Sequence, residues 1–127
     1  MRIIIETIPH MDQRYPTVGD YFYKSGNLRI NVSELPSKRE MFLIAVHELV
    51  EAMLCEAKGI TFESIDRFDK QWQPTLGSGA RGTPEPGDDP KAPYYRQHQI
   101  ATAIERLLAA ELEVDWHTYE RHLEEIA

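Results

Sequence analysis

Three residues of this chain have the types and spacing to do chemistry: His47, Glu48 and Glu51. They lie in Met41–Cys55, MFLIAVHELVEAMLC, where the other twelve of fifteen residues are apolar. Those apolar residues fall on every side of a helix, which is the pattern of a core helix. Successive helical residues advance by about 100°, so His47 and Glu51 share a face and Glu48 lies on the adjoining one. Burying an unpaired ionisable group costs several kcal/mol. Groups placed here must therefore be paired, hydrogen-bonded or bound to a metal. An imidazole and a carboxylate four residues apart can both ligate one transition-metal ion. The plainer reading is a solvated stripe, but such a stripe normally covers more than three positions in fifteen.

A catalytic zinc takes three protein ligands and a water, so a further ligand must come from elsewhere. In Tyr94–Leu112, His98, Thr102 and Glu105 share a helical face. Ala101 and Ala109 lie near it and are small enough to let another helix approach closely. His98 and Glu105 are thus expected to join His47 and Glu51 as metal ligands across a helix–helix contact. Glu105 could instead accept from a ligating His and fix its tautomer. Surface roles are the alternative, since His98 is flanked by Arg96, Gln97 and Gln99, and Glu105 is next to Arg106. His10, His117 and His122 are weaker candidates. His10 lies in a loop, and His117 and His122 are five apart, off a common face. Asp88 and Asp89 could reach a metal from a long loop, although ordinary solvation accounts for them. Cys55 continues the 47–51 face and reads as a small buried hydrophobe.

The run His47-Glu48-Leu49-Val50-Glu51 resembles the H-E-x-x-H motif of zincin metallopeptidases, in which two His bind zinc and the Glu is the general base. Glu51 stands where the motif has its second His; carboxylate oxygen is also an accepted zinc ligand. The layout over residues 20–58 is similar too, with a hairpin followed by a capped helix bearing the motif. The resemblance implies a strand lying over that helix, able to hold an extended peptide. It also implies that Glu48 takes a proton from a water held by the ion. The chain is similar as well to small phage and prophage proteins.

Several elements must position these residues. Residues 1–35 read as β: the Ile3-Ile4-Ile5 run suits a buried strand. Tyr21–Lys24 and Leu28–Val32 flank Ser25-Gly26-Asn27 and read as a hairpin. Ser37 with Glu40 is a capping-box signature, and Gly59 is a helix stop. A second helix starts at Thr61, with Ile65, Phe68 and Trp72 at helical spacing. Residues 73–93 hold five of the eight Pro and four of the seven Gly, which predicts a flexible loop, able to act as a lid. Within it, Gly77-Ser78-Gly79-Ala80-Arg81-Gly82 satisfies G-x-G-x-x-G. Thr83-Pro84 follows, so no helix can start there to receive a phosphate, and a nucleotide site is rejected. Ile100, Ile104, Leu107, Leu108 and Leu112 form an apolar stripe, and a last helix is expected over 116–126. Together these predict an α+β fold: antiparallel strands, a core motif helix, then C-terminal helices, all in one domain spanning 1–127.

The 127 residues include 14 Lys+Arg against 21 Asp+Glu, a net charge of -7. An acidic surface repels phosphate backbones, so nucleic acid is not an expected partner. One cysteine excludes an internal disulfide and a Cys-rich zinc site. No apolar run is long enough to span a bilayer, and the first residues do not read as a signal peptide. A cytoplasmic protein with no membrane partner is expected. The leading expectation is a metal-dependent, peptidase-like hydrolase, with zinc as cofactor, Glu48 as base and a peptide or protein as substrate. The first alternative is a non-catalytic metal- or partner-binding module. The second is a magnesium-dependent nucleotide pyrophosphohydrolase, whose E-x-x-E carboxylates Glu48 and Glu51 would match, completed by Glu105 or Glu111.

Overall fold

The computed structural model describes residues 1–73 and 85–126. It has an α+β fold in which a three-stranded sheet precedes four helices. Strand β1 (Ile3–Ile8) pairs in parallel with β3 (Asn27–Ser33), which pairs antiparallel with β2 (Gly19–Lys24), giving the order β1-β3-β2. The β2–β3 hairpin turns on Ser25 and Gly26, with φ of 53° and 77°. Both residues are left-handed, as a tight two-residue hairpin turn requires, and Gly26 adopts that geometry without steric cost. Leu28, Ile30 and Val32 alternate along β3 and are fully buried. Each contributes roughly 1.5–3 kcal/mol by burial.

Helix α1 (Lys38–Ala57) lies over β2 and β3 on one side and against α3 (Tyr95–Glu111) on the other. Ser37 caps α1 by accepting from the Glu40 backbone N–H at 3.2 Å. Gly59, with φ of +70°, ends it with a backbone bond from Ile60 back to Cys55 O at 3.0 Å. Thr61 caps α2 (Phe62–Gln71) through the Ser64 N–H at 3.2 Å. Helix α4 (Trp116–Ile126) packs on α3. No described helix is long and apolar enough to cross a membrane.

Two sequence expectations need correction. The Ile3-Ile4-Ile5 run is not a buried strand. It forms an edge strand, with Ile3 and Ile5 each 47% exposed, because α1 packs chiefly on β2 and β3. The apolar stripe of α3 is likewise buried only in part: Leu108 and Leu112 pack against the core. Leu107 is 72% exposed, whereas Gln97, His98, Ala101, Glu105 and Ala109 are buried. Alanines let α1 come close, and His47 and Glu51 on α1 bond the Glu105 and His98 that the contact buries. Of the loop expected at 73–93, residues 74–84 lie outside the described residues, and so does the whole G-x-G-x-x-G run. Residues 86–88 form a short 3₁₀ turn.

Candidate functional site

Helix α1 supplies His47, Glu48 and Glu51, and α3 supplies His98 and Glu105. Leu43 and Ile44 of α1 are buried against the core, which holds the same helical face one turn further on against α3. His47 and Glu51 are buried with it, as are His98 and Glu105. Three donor atoms meet at one point. His47 Nε2 lies 3.1 Å from Glu51 Oε2, His98 Nδ1 lies 2.8 Å from the same oxygen, and the two nitrogens are 3.3 Å apart. Ligand bonds of about 2.0–2.2 Å to a tetrahedral zinc put donor atoms roughly 3.3 Å from one another. The observed separations fit that figure, slightly contracted.

Around this triangle lies a ring of acceptors. Glu105 Oε1 accepts from His47 Nδ1 at 2.8 Å, and Glu105 Oε2 accepts from the Tyr119 hydroxyl at 2.6 Å. The sequence allows Glu105 as a ligand or as an acceptor on a ligating His; here it stands on the far nitrogen of His47, the second of these arrangements. There it fixes the tautomer that leaves Nε2 facing Glu51. Tyr119, on α4, had no signal in the sequence, because nothing local ties residue 119 to residue 105. Beyond His98, Glu85 Oε2 and Asp88 Oδ1 each lie 3.3 Å from Nε2. This corrects the reading of Asp88 as a solvated loop residue; Asp89 bonds Trp72 Nε1 instead, at 3.2 Å. Glu85, Asp88 and His98 could also be viewed as a separate cation site. One imidazole cannot offer lone pairs on both nitrogens unless it loses both protons. The economical arrangement has Nδ1 toward Glu51 and His47 and leaves the proton on Nε2, which has both carboxylates nearby but makes a hydrogen bond to neither.

Charge at this centre is far from ordinary. Burial opposes protonation of both imidazoles, but the carboxylates around them outweigh it. Glu105 and Glu51 raise His47 to about 10; Asp88, Glu51 and Glu85 raise His98 to about 12. Burial likewise pushes Glu51 up, yet its bonds to both His residues bring it down to about 2. Without an ion, two N–H donors therefore crowd one carboxylate oxygen, 3.3 Å from each other. A single cation held by both nitrogens and the oxygen removes that crowding. The donor set, two imidazoles and one carboxylate, is one that a divalent transition-metal ion accepts.

Glu48 lies beside the triangle and outside it. It lines a cavity of about 90 Å³ shared with His47, Glu51 and His98, room for about three waters. Strand β2 forms the opposite wall: a Cβ on Gly19 would stand 2.6 Å from Ile44 Cγ2 and 2.8 Å from Glu48 Oε1. Only a glycine lets the strand pass this close to the motif helix. Burial, and then the charge of Glu51, push the Glu48 carboxyl well above its usual range. The outer part of the cavity is acidic as well. Arg14 bonds Asp20 at 2.7 and 3.0 Å and reaches Asp66 at 3.4 Å. Asp69 accepts from the Tyr94 hydroxyl at 2.6 Å, and burial raises it to about 7.

The remaining histidines lie elsewhere. His10 bonds the Ser33 hydroxyl at 2.8 Å, and His122 bonds Glu40 at 2.6 Å, tying α4 to the start of α1. His117 lies on α4 beside Asp115. Cys55 is buried.

Gly87 carries no signal in the sequence beyond its Pro/Gly-rich surroundings. A Cβ there would stand 2.4 Å from His98 Cγ and 2.5 Å from Nδ1, so the turn at 86–88 presses directly on this imidazole. Gly87→Ala is expected to displace the ring and weaken binding of a zinc-type ion by at least the ~10–100-fold seen when outer partners of a ligand are lost, although residue 87 is not itself a ligand. Titration with zinc against a competing chelator checks this.

Comparison of the chain with family models, with curated proteins and with solved structures finds no match.

Proposed function

We propose that this chain is a small metal-dependent hydrolase of the zincin type, acting on peptide bonds. The observation that carries the proposal is the convergence of His47 Nε2, His98 Nδ1 and Glu51 Oε2 within 3.3 Å of one another. These three would hold the ion, with zinc the best match to two imidazoles and a carboxylate. When bound, zinc supplies Lewis acidity, which polarises a carbonyl and brings the pKa of water down toward ~7. Glu48 lines the cavity beside the triangle; with a cation there to draw it back to the carboxylate, it would take a proton from the attacking water and later deliver it to the leaving amine. Glu105 and Tyr119 would keep His47 in the required tautomer, while the backbone at Gly87 packs on the His98 ring. The narrow approach of β2 at Gly19 gives an extended peptide a strand to lie along.

A binding module without catalysis is the second reading. Glu51 in place of the second His of the zincin motif favours it. The pyrophosphohydrolase reading is less well supported. Glu111 is exposed, and two imidazole nitrogens at the centre of the cluster suit zinc better than magnesium.

The test is elemental analysis of the purified chain, together with hydrolysis of a quenched-fluorescent peptide library with and without a chelator. About one zinc per chain and chelator-sensitive cleavage are expected. A chain that stays metal-free with zinc, manganese, cobalt and nickel each in excess would overturn the reading. One metal per chain with no hydrolysis of any peptide would leave the binding module.

A further inference from the structure

We infer that β1 is the contact through which two copies of this chain associate, pairing antiparallel about Ile4 to make one six-stranded sheet. Leu28 N–H donates to Arg2 O at 3.0 Å and Glu34 N–H to Ile8 O at 2.8 Å, so the even-numbered residues of β1 face β3. In a parallel ladder the alternate residues then turn their N–H and C=O away. The outward set is Ile3, Ile5 and Thr7, and no described strand takes up those groups. A long apolar edge of this kind is a template for another strand.

The sequence of the edge selects a second copy as that strand. Centred on Ile4, an antiparallel pair sets Ile3 opposite Ile5, and Arg2 opposite Glu6 of the other copy. The register is consistent with the backbone: Ile3 and Ile5 both belong to the outward-facing set, so each pair closes two hydrogen bonds. It is consistent with the side chains as well. Ile3 and Ile5 are in register with Leu28 and Ile30 and share their face, but each is 47% exposed where the β3 residues are fully buried. Four such isoleucines would cover one another beside the helical layer. Arg2 and Glu6 lie on the opposite face, both exposed. There Glu6 already bonds Arg29 at 3.1 Å, and the two-fold operation adds two Arg2–Glu6 pairs. A strand pair alone is small against the area of a stable dimer, so the association is weak and depends on concentration.

Sedimentation equilibrium over a wide concentration range tests this on the intact chain. The wild type should show a reversible monomer–dimer equilibrium. Ile5→Lys, at an exposed position, should keep the circular dichroism spectrum and thermal midpoint but stay monomeric throughout. Arg2→Glu and Glu6→Arg should each weaken the dimer by roughly tenfold. Mixed in equal amounts, these two variants should associate at least as well as the wild type, since each then meets its opposite charge. That recovery cannot come from a folding defect in either variant. A wild type that is monomeric at every concentration would overturn the inference. So would an Ile5→Lys chain that dimerises like the wild type, or single variants that gain nothing on mixing.

Discussion

Glu48→Gln is expected to keep its metal and to lose hydrolytic activity by roughly 10²–10⁴-fold, the usual contribution of a general base. The argument is one of position. Glu48 is about 100° round the helix from His47, and it faces the cavity wall at Gly19 rather than the point where His47, Glu51 and His98 meet. A ligand and a base make different demands: removing the first releases the ion, and removing the second leaves it bound beside an inactive water. Glutamine keeps the shape and removes the charge. It also relieves the repulsion from Glu51 that, after burial, raises this carboxyl, so the thermal midpoint should not fall. Metal content and kcat on one peptide decide the matter. An unchanged rate would remove Glu48 from the chemistry, and loss of metal would make it a ligand.

His98→Ala is expected to all but abolish zinc binding, whereas Glu105→Gln should weaken it only ~10–100-fold, as is typical for the outer partner of a ligating His. His98 places Nδ1 in the triangle, 2.8 Å from Glu51. Glu105 touches the triangle only through His47, at 2.8 Å on Nδ1. Neither position can be emptied without structural cost, because both are buried. His47→Ala is a poorer choice, since it removes the imidazole between Glu51 and Glu105 and leaves each with one partner fewer, His98 on one and Tyr119 on the other; breaking a buried pair this way costs about 3–5 kcal/mol. In Glu105→Gln the amide oxygen still accepts from His47, so the fold should survive. Isothermal titration with zinc measures both variants. Equal losses would mean that Glu105 swings in to bind the ion directly.

Much of this arrangement was legible in the residues themselves. Alternation in 28–32 and the Ser25-Gly26 turn located the hairpin, and Ser37 with Glu40 located the start of α1. The i, i+4 spacing put His47 and Glu51 on one face, and the alanines at 101 and 109 marked the face of α3 that meets it. Other features were illegible for definite reasons. Three isoleucines in a row look the same whether a sheet edge is covered or open, so β1 was misjudged. Tyr119 reaches Glu105 only because α4 folds back on α3, and no spacing rule crosses a helix boundary. Asp88 and Gly87 sit in Pro/Gly-rich sequence, where composition describes the backbone and not what it rests against. Glu105 was recognised as polar and inward; whether it served as ligand or acceptor depended on its distance from His47.

The separation of these residues along the chain also bears on the order in which the molecule assembles. The hairpin and α1 are consecutive, and the strands of the hairpin need only a two-residue turn to meet. Arg2 meets Asn27 25 residues away, and His47 meets His98 51 residues away. Closing longer loops costs more chain entropy before any contact repays it. On those grounds the hairpin and α1 come together first, with β1 and α3 joining later. Until α3 arrives, His47 and Glu51 lack the partners that α3 brings. Their burial against α3 comes only as His98 and Glu105 reach them, so these two groups are not sealed between the helices before their partners are at hand.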